Sequence, residues 1–468
     1  MGALIMNRLR LSARILLLGC AGGLLLLMTG CGVDQEKEIA QYRAVLDHAN
    51  LPSPAEVSEN QPLSLQQSMA LANLHNENLG LRGEDYVQAL IDKNRAVANF
   101  LPTVGFQPSY TIAGQPGNGQ TIRGLSTHGD TVQGYAMPVV GNINVFNGFA
   151  DAASLRAAEA AIAQRRDLLL DLQATILLNV AQTYYQVLRS EQAVQVLQHS
   201  LQLQESRLSD VEQQLRNGLA TQLAVSQTRA QVDNTRVQLV QAQSDVRNGR
   251  FTLALLIGVA HVENPLVDDF TVPDDPGSEA SFEQAALSMR NDVQAAEHEL
   301  DVAREAVSIA VAQYYPSVTL NVSALLSSTA YSQASKWNAV LAANLPVFSA
   351  GRIRADVRTA WSRLRQAALE ESMVRRQALH DVQSAYENVV TAARRIHELE
   401  DEVQAANEAY EQARNSFLNG LGINLDVLSA QDQLLNAQLQ LTGARFDRTV
   451  FFLDLIRASG RLPTPQDH

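Results

Sequence analysis

Histidine, serine and glycine residues could support catalysis, but none of them stands in a spacing that enzymes use. The nine histidines are scattered, and His397-Glu398 lacks the second histidine, four residues after the first, with which a metalloprotease helix holds zinc. The sequence has no Gly-x-Ser-x-Gly motif and no phosphate-binding loop. The glycines between 114 and 124 follow a strand pattern, but no helix follows them as a dinucleotide-binding loop requires. We expect a protein that is not an enzyme and that has neither a cofactor nor a metal site.

The N-terminal segment has the composition of an export signal. Basic residues precede an apolar run from 15 to 28, and the small residues Thr29 and Gly30 follow it. A basic segment, an apolar core and small residues before a cleavage site are typical of a signal peptide. We predict that residues 1–30 are removed and that no later segment is apolar for long enough to cross a membrane as a helix.

Cys31 stands directly after this segment and is the candidate site of lipid attachment. Its surroundings resemble a bacterial lipobox, in which the cysteine is acylated, for example with palmitate; Met28 stands where leucine is usual. Cys20 is the alternative, but only four apolar residues precede its Gly-Cys pair, so we prefer Cys31. Gly32 resembles the sorting signal of outer-membrane rather than inner-membrane lipoproteins. Because there is no third cysteine, the mature chain can have no disulfide framework.

The composition argues against nucleic-acid binding and for packed helices. The 468 residues carry a net charge of −13, whereas binding to a phosphate backbone needs a basic surface. Residues 31–63 are polar and contain three prolines, so we predict a tether without a core of its own. The helical pattern begins at Ser64, which fits an N-cap because Gln67 follows three residues later.

The longest regular pattern is a coiled-coil seam in the second half of the chain. Apolar or small residues recur at alternating spacings of three and four from Val382 to Phe417, which is the narrow seam of a coiled coil. Asn419-Gly420-Leu421-Gly422 then predicts a tight turn, and a second helix begins near Asn424. A leucine seam in the first half ends in the same way, at Asn217-Gly218-Leu219. Because the two turns are 202 residues apart (420 − 218), the sequence predicts an internal duplication.

A two-residue period in each half predicts two β-strands. Residues 103–146 and 317–348 alternate apolar side chains with Asn, Ser, Thr and Gln, and loop residues divide each stretch in two. Strands of roughly ten to fifteen residues are long enough to cross a bilayer when tilted. The same alternation would also fit a small soluble sheet that packs on a core, and the strands alone leave both interpretations open.

The predicted organisation has two similar repeats, each with a helix, two strands and a long helical hairpin. The predicted segments are a signal peptide (1–30), a tether (31–63), the first repeat (64–257, hairpin 150–257), a crossover (258–281), the second repeat (282–459, hairpin 352–459) and a polar tail (460–468). One copy supplies four strands, too few for a barrel, and lipid tolerates no open sheet edge. Two copies would give eight strands around a filled interior, and three would give twelve strands around a lumen. We therefore predict a ring of copies.

These features resemble the TolC-like outer-membrane factor family, on its lipoprotein branch. The resemblance covers about residues 64–459 and is carried by Leu-Pro-Thr-Val at 101–104, Tyr-Pro-Ser-Val at 315–318, and Asn419-Gly420-Leu421 followed by Asp426-Val427-Leu428. It implies a mainly α protein with membrane β-strands, a homotrimer that joins a twelve-stranded β-barrel in the outer membrane to a twelve-helix α-barrel in the periplasm. It further implies the exit duct of a tripartite efflux system, with an inner-membrane pump (proton-driven or ABC) and a periplasmic adaptor.

The resemblance also assigns roles to the two turns and to the helix after the second turn. It implies that adaptor hairpins dock at the turn residues, which are Asn217, Gly218, Leu219, Asn419, Gly420, Leu421 and Gly422. Asp426 matches a carboxylate ring at the closed mouth, where three copies would favour cations over anions. Ser429 replaces a second carboxylate, and Asp432 is the candidate substitute. Alternatively, Asp426 is a solvated charge that stabilises the start of its helix.

The bond that closes the tip in the best-known family member is missing from this sequence. Phe417 and Gly422 stand where a phenol and a guanidinium would be needed, so the gate must differ. Two other functions stay open. One is the export of polypeptides by a type I secretion system through the same duct. The other is a structural coiled-coil lipoprotein, which the polar inner strand faces argue against because a spacer needs no lumen.

Overall fold

The structure is a computed structural model that describes residues 33–49, 51, 61–114, 127–128, 131–328 and 336–463. The predicted signal peptide with Cys20 and Cys31, most of the predicted glycine-rich loop and the end of the predicted polar tail lie outside the described residues. Within the described ranges, no helix is both long and apolar enough to span a membrane.

Helices make up most of the described chain. They are α1 (Gln35–Leu46), α2 (Leu65–His75), α3 (Glu77–Ala98), α4 (Ala150–Arg216), α5 (Gln222–Ile257), α6 (Glu279–Met289), α7 (Asn291–Ala312), α8 (Arg352–Leu418) and α9 (Asn424–Ala458). The two longest, α4 and α8, have 67 residues each and are therefore about 100 Å long. Each of them pairs with the helix that follows it, so the chain has two long antiparallel hairpins, α4–α5 and α8–α9.

The six strands form a single antiparallel sheet at one end of these hairpins. They are β1 (Thr103–Phe106), β2 (Ser109–Gly114), β3 (Thr127–His128), β4 (Thr131–Asn147), β5 (Ser317–Ser328) and β6 (Trp337–Asn344). The first three all pair with β4, then β4 pairs with β5 and β5 with β6. In the described chain no further strand covers β1 and β2 at one edge or β6 at the other. The sheet is therefore open at both edges.

The sheet has one apolar and one polar face. A row of the apolar face, aligned by the register, consists of Phe106, Val139, Ala324 and Trp337. The next row, on the polar face, contains Thr103, Asn142 and Asn321. The apolar face is open to its surroundings, since Phe106 is 56% and Trp337 67% exposed. A soluble sheet on a core would bury such a face, so this exposure argues against the soluble alternative.

Three predicted elements are interrupted where the backbone needs a different conformation. The sequence predicted one helix over 64–99, but α2 ends and α3 begins at Asn76, whose side chain accepts from the N–H of Asn78 (3.0 Å) and donates to the carbonyl of Leu256 (3.2 Å). The predicted helix over 282–313 breaks in the same way at Arg290, which is extended (φ −65°, ψ 126°). The first strand divides into β1 and β2 around Pro108, which has no N–H to donate.

The segment before residue 64 contributes to the core, although the sequence predicted a tether without one. Helix α1 begins after Asp34, whose side chain accepts from the N–H of Lys37, and it buries Tyr42 and Leu46 completely or nearly so. The carbonyl of Leu46 accepts a hydrogen bond of 2.8 Å from the side chain of Gln173 on α4. The tether prediction missed α1 because its buried side chains are too few to give a periodic signal.

The core lies where α2, α4, α5 and α9 meet the crossover that follows α5. Tyr184 is fully buried there, and its hydroxyl lies 2.7 Å from the carbonyl oxygens of both Leu63 and Val267. The N–H of Val267 donates to the same hydroxyl over 2.9 Å, and burial raises the pKa of the phenol. Leu63 also forms a parallel bridge with Leu266. Tyr184 thus holds the segment before α2 and the crossover against α4.

We predict that Tyr184→Phe lowers the thermal melting temperature by several degrees. The change leaves buried backbone groups without a partner, which costs about 1–3 kcal/mol. Circular dichroism of the purified protein in detergent measures the shift. The control is Tyr314→Phe, because Tyr314 is 50% exposed and should have almost no effect. Equal shifts for the two variants would show that the hydroxyl of Tyr184 does not stabilise the core.

Candidate functional site at the tip of the two hairpins

The two hairpins end in turns of the same geometry. Gly218 and Gly420 have φ angles of +74° and +73°, a left-handed conformation that favours glycine. The N–H of Leu219 donates to the carbonyl of Gln214 over 2.8 Å, and the N–H of Leu421 donates to Ser416 over the same distance. No atom lies within 4 Å of a Cβ built on either glycine. Glycine is therefore needed for the backbone angle and not for space.

The tip presents exposed leucines on both turns. Leu219 is 79% and Leu421 85% exposed, and the turn residues predicted from the sequence lie together at this end of each hairpin. The surrounding apolar side chains are exposed as well, namely Leu223, Leu418, Ile423 and Leu425. Sequence reasoning missed these four, although their leucine-rich composition next to the glycines was a usable signal. An apolar surface of this kind is typical of a protein–protein contact.

Asn424 connects the second hairpin to the first through a buried set of hydrogen bonds. It is the first residue of α9 and is only 6% exposed. Its side-chain oxygen accepts from Arg207 on α4 over 2.9 Å. Its side-chain nitrogen donates to the hydroxyl of Thr228 (3.2 Å) and to the carbonyl of Ala224 (3.4 Å), both on α5. A single amide therefore joins three helices just behind the turns.

Arg207 extends this connection to the long helix of the second hairpin. Its guanidinium carbon lies 5.2 Å from the ring centre of Phe417 on α8, within the range of a cation–π contact. Burial lowers the pKa of Arg207, and its Nε has no hydrogen-bond partner in the described part of the chain. The sequence analysis recognised that Phe417 cannot act as a phenol. It did not predict that the ring would receive a guanidinium from the other hairpin.

Asp426 and Asp432 lie on different faces of α9. The exposed carboxylate of Asp426 accepts from the N–H of Ile423 over 3.4 Å, so it caps the first turn of the helix. Asp432 is half-buried, accepts a hydrogen bond from the side chain of Gln231 on α5, and has its pKa raised by burial. Ser429 is exposed, three residues after Asp426. Asp432 thus faces the other hairpin of its own chain, and the constriction role of both aspartates stays a prediction.

Comparisons with known proteins agree in kind. The family model described as "Outer membrane efflux protein" matches residues 86–259 and 283–461. The "Probable outer membrane lipoprotein SilC" of Salmonella typhimurium is 24% identical over 297 residues, which are 60% of this chain and 62% of SilC. The "Outer membrane efflux protein BepC" of Brucella suis is 23% identical over 435 residues, 92% of this chain and 91% of BepC. The chain thus spans only about three fifths of SilC but about nine tenths of BepC.

A solved structure has the same fold. The crystal structure of the outer membrane protein VceC from Vibrio cholerae superposes with a TM-score of 0.76 at 23% identity, and the match covers 85% of this chain and 96% of VceC. The likeness extends over the sheet and both hairpins, since it includes most of both chains.

We predict that Asn424→Ala loosens the tip without unfolding the rest of the chain. The variant leaves Arg207 and the hydroxyl of Thr228 without their buried partner, which costs about 1–3 kcal/mol. Amide hydrogen exchange in the first turns of α5 and α9 should become about tenfold faster or more. Ser429→Ala, an exposed change on the same helix, is the control and should exchange like the parent protein. If Asn424→Ala also exchanges like the parent, the amide does not hold the hairpins together.

Proposed function

We propose that this chain, which belongs to the outer membrane efflux protein family, is the outer-membrane exit duct of a tripartite efflux system. The family match confirms the resemblance drawn from the sequence. The family is one of channels and not of enzymes. In this proposal the duct conducts substrates passively, and an inner-membrane pump delivers them through a periplasmic adaptor.

The exposed apolar face of the sheet is the observation that carries the proposal. Lipid would cover the face with Phe106 and Trp337, and water would fill the side with Asn142 and Asn321. The sheet leads directly into helices about 100 Å long, several times the thickness of a hydrocarbon core. A spacer lipoprotein would need the helices but not the two-faced sheet.

Three copies would complete the sheet and the ring of helices. The sheet has two open edges, and the bilayer core offers no water to satisfy the backbone groups there. Closing the edges between copies gives eight strands for two copies, which leaves no lumen, and twelve strands for three copies, which does. The equal order of elements in the two halves, which we attribute to duplication, would give the ring six similar units.

The exposed leucines of the two turns fit the role of an adaptor-docking surface. Leu219 and Leu421 lie at the end of the hairpins farthest from the sheet, where a duct would meet the periplasmic partner. The network of Asn424 and Arg207 lies directly behind them and joins the two hairpins. We infer that an adaptor which engages the leucines would act on this network, so that docking and opening of the tip are coupled.

The lipid anchor would fix the chain at the periplasmic side of the outer membrane. Helix α1 begins at Gln35, four residues after Cys31, and it packs on α3, which leads upward into β1. The relative SilC is itself named a lipoprotein. The proposed localisation is therefore the outer membrane, with the hairpins in the periplasm.

A conductance measurement in planar lipid bilayers tests the proposed function. The purified chain should insert and give discrete conductance steps, because a twelve-stranded ring encloses water. A control with protein heated until it unfolds should give none. A folded, membrane-bound protein that never conducts would overturn the duct and favour the spacer. Cells without the gene should also retain more of a fluorescent efflux substrate, whereas unchanged retention together with loss of a secreted protein would indicate type I secretion.

We predict that Asp426→Asn raises the conductance of anions relative to cations. Three carboxylates at the mouth of a pore attract cations and repel anions, and the variant removes this charge. Reversal potentials measured across a salt gradient give the selectivity. Asp269→Asn, an exposed change in the crossover, is the matched control. The same selectivity in parent and Asp426→Asn would remove Asp426 from the conduction path.

We predict that Cys31→Ser folds but carries no lipid. The serine hydroxyl cannot replace the thiol that receives the acyl group, and Cys31 lies outside the packed core. Growth with radioactive palmitate, followed by purification, measures the incorporation of label. Cys20→Ser should be labelled like the parent. Label that persists in Cys31→Ser and disappears in Cys20→Ser would reassign the anchor to Cys20.

A further inference from the structure

Helices α3 and α8 each leave one complete face without a partner. On the sheet side of the molecule α3 contacts α4, α4 contacts α7 and α7 contacts α8, so that α3 and α8 end the row. The free face of α3 repeats at spacings of three and four and consists of Glu77, Leu81, Glu84, Gln88 and Ile91. The free face of α8 has almost the same spacing and consists of Arg358, Ser362, Arg365, Leu369 and Met373. Each is the kind of stripe by which one helix packs on another.

The two faces are complementary in charge and in apolar content. The face on α3 carries two glutamates, and the face on α8 carries two arginines. Neither Glu84, Arg358 nor Arg365 forms an ion pair with any described residue of its own chain. Each face also has a highly exposed leucine in the same half, Leu81 at 68% and Leu369 at 71%. A surface with these properties fits a second copy of the same chain, in which α3 would meet α8.

The contact between α4 and α7 within the chain supplies a template for such a pair. Arg156 on α4 forms an ion pair of 2.8 Å with Glu305 on α7. Further along, Gln164 donates to Glu299, and His298 Nε2 lies 3.4 Å from the carboxylate of Asp167. These three pairs fix an antiparallel register between α4 and α7.

The two halves of the chain allow this register to be transferred. Helices α4 and α8 both have 67 residues and begin 202 residues apart (352 − 150). Helices α3 and α7 both have 22 residues and begin 214 residues apart (291 − 77). With these offsets the three internal pairs become residue 358 with 91, residue 366 with 85, and residue 369 with 84.

The transferred register brings together the complementary side chains of the two faces. Leu369 falls between Glu84 and Leu81, so the two exposed leucines meet within one helical turn. Arg365 falls on the level of Glu84 and Asp85, and Arg358 on the level of Ile91 and Asp92. The side chains that lack a partner in one copy would therefore find one in the next.

We propose that α8 of one copy packs antiparallel on α3 of the next copy, in the register of the internal α4–α7 pair. Leu369 contacts Leu81 at the centre, and Arg365 pairs with Glu84 of the next copy. The same step brings the β6 edge of one copy beside the β1–β2 edge of the next, as β4 lies beside β5 within the chain. This inference rests on the proposed ring, since it names the surfaces through which the ring closes.

Disulfide trapping tests the register directly. The variant with both Glu84→Cys and Leu369→Cys is oxidised in isolated membranes, where the full chain is present, and separated without reductant. Covalent dimers and trimers are expected, because a disulfide needs Cα atoms within about 7 Å. The control pairs Glu84→Cys with Ala355→Cys, which lies on the same face of α8 but 14 residues, or about 20 Å, away from Leu369. This control should stay monomeric under denaturing conditions.

A charge exchange tests the proposed ion pair. Arg365→Glu places like charges opposite each other and should lower the assembled fraction in detergent about tenfold, as measured by size exclusion with light scattering. The double variant Glu84→Arg with Arg365→Glu should restore assembly. Failure of the double variant to restore assembly would exclude this pairing.

The outcomes separate the interface from the function. Trimers that form without the 84–369 link, or with the 84–355 link instead, would overturn the register and leave the duct intact. A chain that remains monomeric in membranes in the parent form would overturn the ring, and the proposed function with it.

Discussion

The backbone hydrogen bonds at the edges of a β-sheet must be satisfied when lipid surrounds the sheet. This constraint governs the whole molecule. The sheet of one copy ends in β1 and β2 on one side and in β6 on the other, and no described strand covers either edge. Its apolar face is exposed and its other face carries asparagines, so the sheet fits neither water nor lipid alone. The unit that can be stable is therefore larger than one chain.

The helices continue the same logic away from the membrane. Each hairpin has a seam that its own return helix covers, yet the outer faces of α3 and α8 stay open. At the tip the contacts are instead polar and internal, because Asn424 and Arg207 hold the two hairpins of one copy together. Rigid assembly near the sheet and a smaller, polar contact at the tip are what a duct needs if only its end is to open. The buried amide can be separated at a cost of a few kcal/mol, whereas the apolar seams cannot.

Local patterns predicted the parts of the fold that depend on local rules. The 3–4 spacing up to Phe417 and the glycines at 218 and 420 gave the long helices and turns, because periodicity and positive φ angles are written in adjacent residues. The breaks at Asn76 and Arg290 escaped prediction because either residue is tolerated within a helix. The contacts of Asn424 with Arg207 and of Asp432 with Gln231 join positions about 200 residues apart. No single sequence pattern reveals such pairs.

Electron cryomicroscopy of the lipidated protein in lipid nanodiscs tests the central claim most directly, since it shows what lies against the edges of the sheet. The account predicts a particle with threefold symmetry, in which β6 of each copy is hydrogen-bonded to β1 and β2 of the next. A particle with one copy whose strand edges are free, or are covered by its own helices, would contradict it.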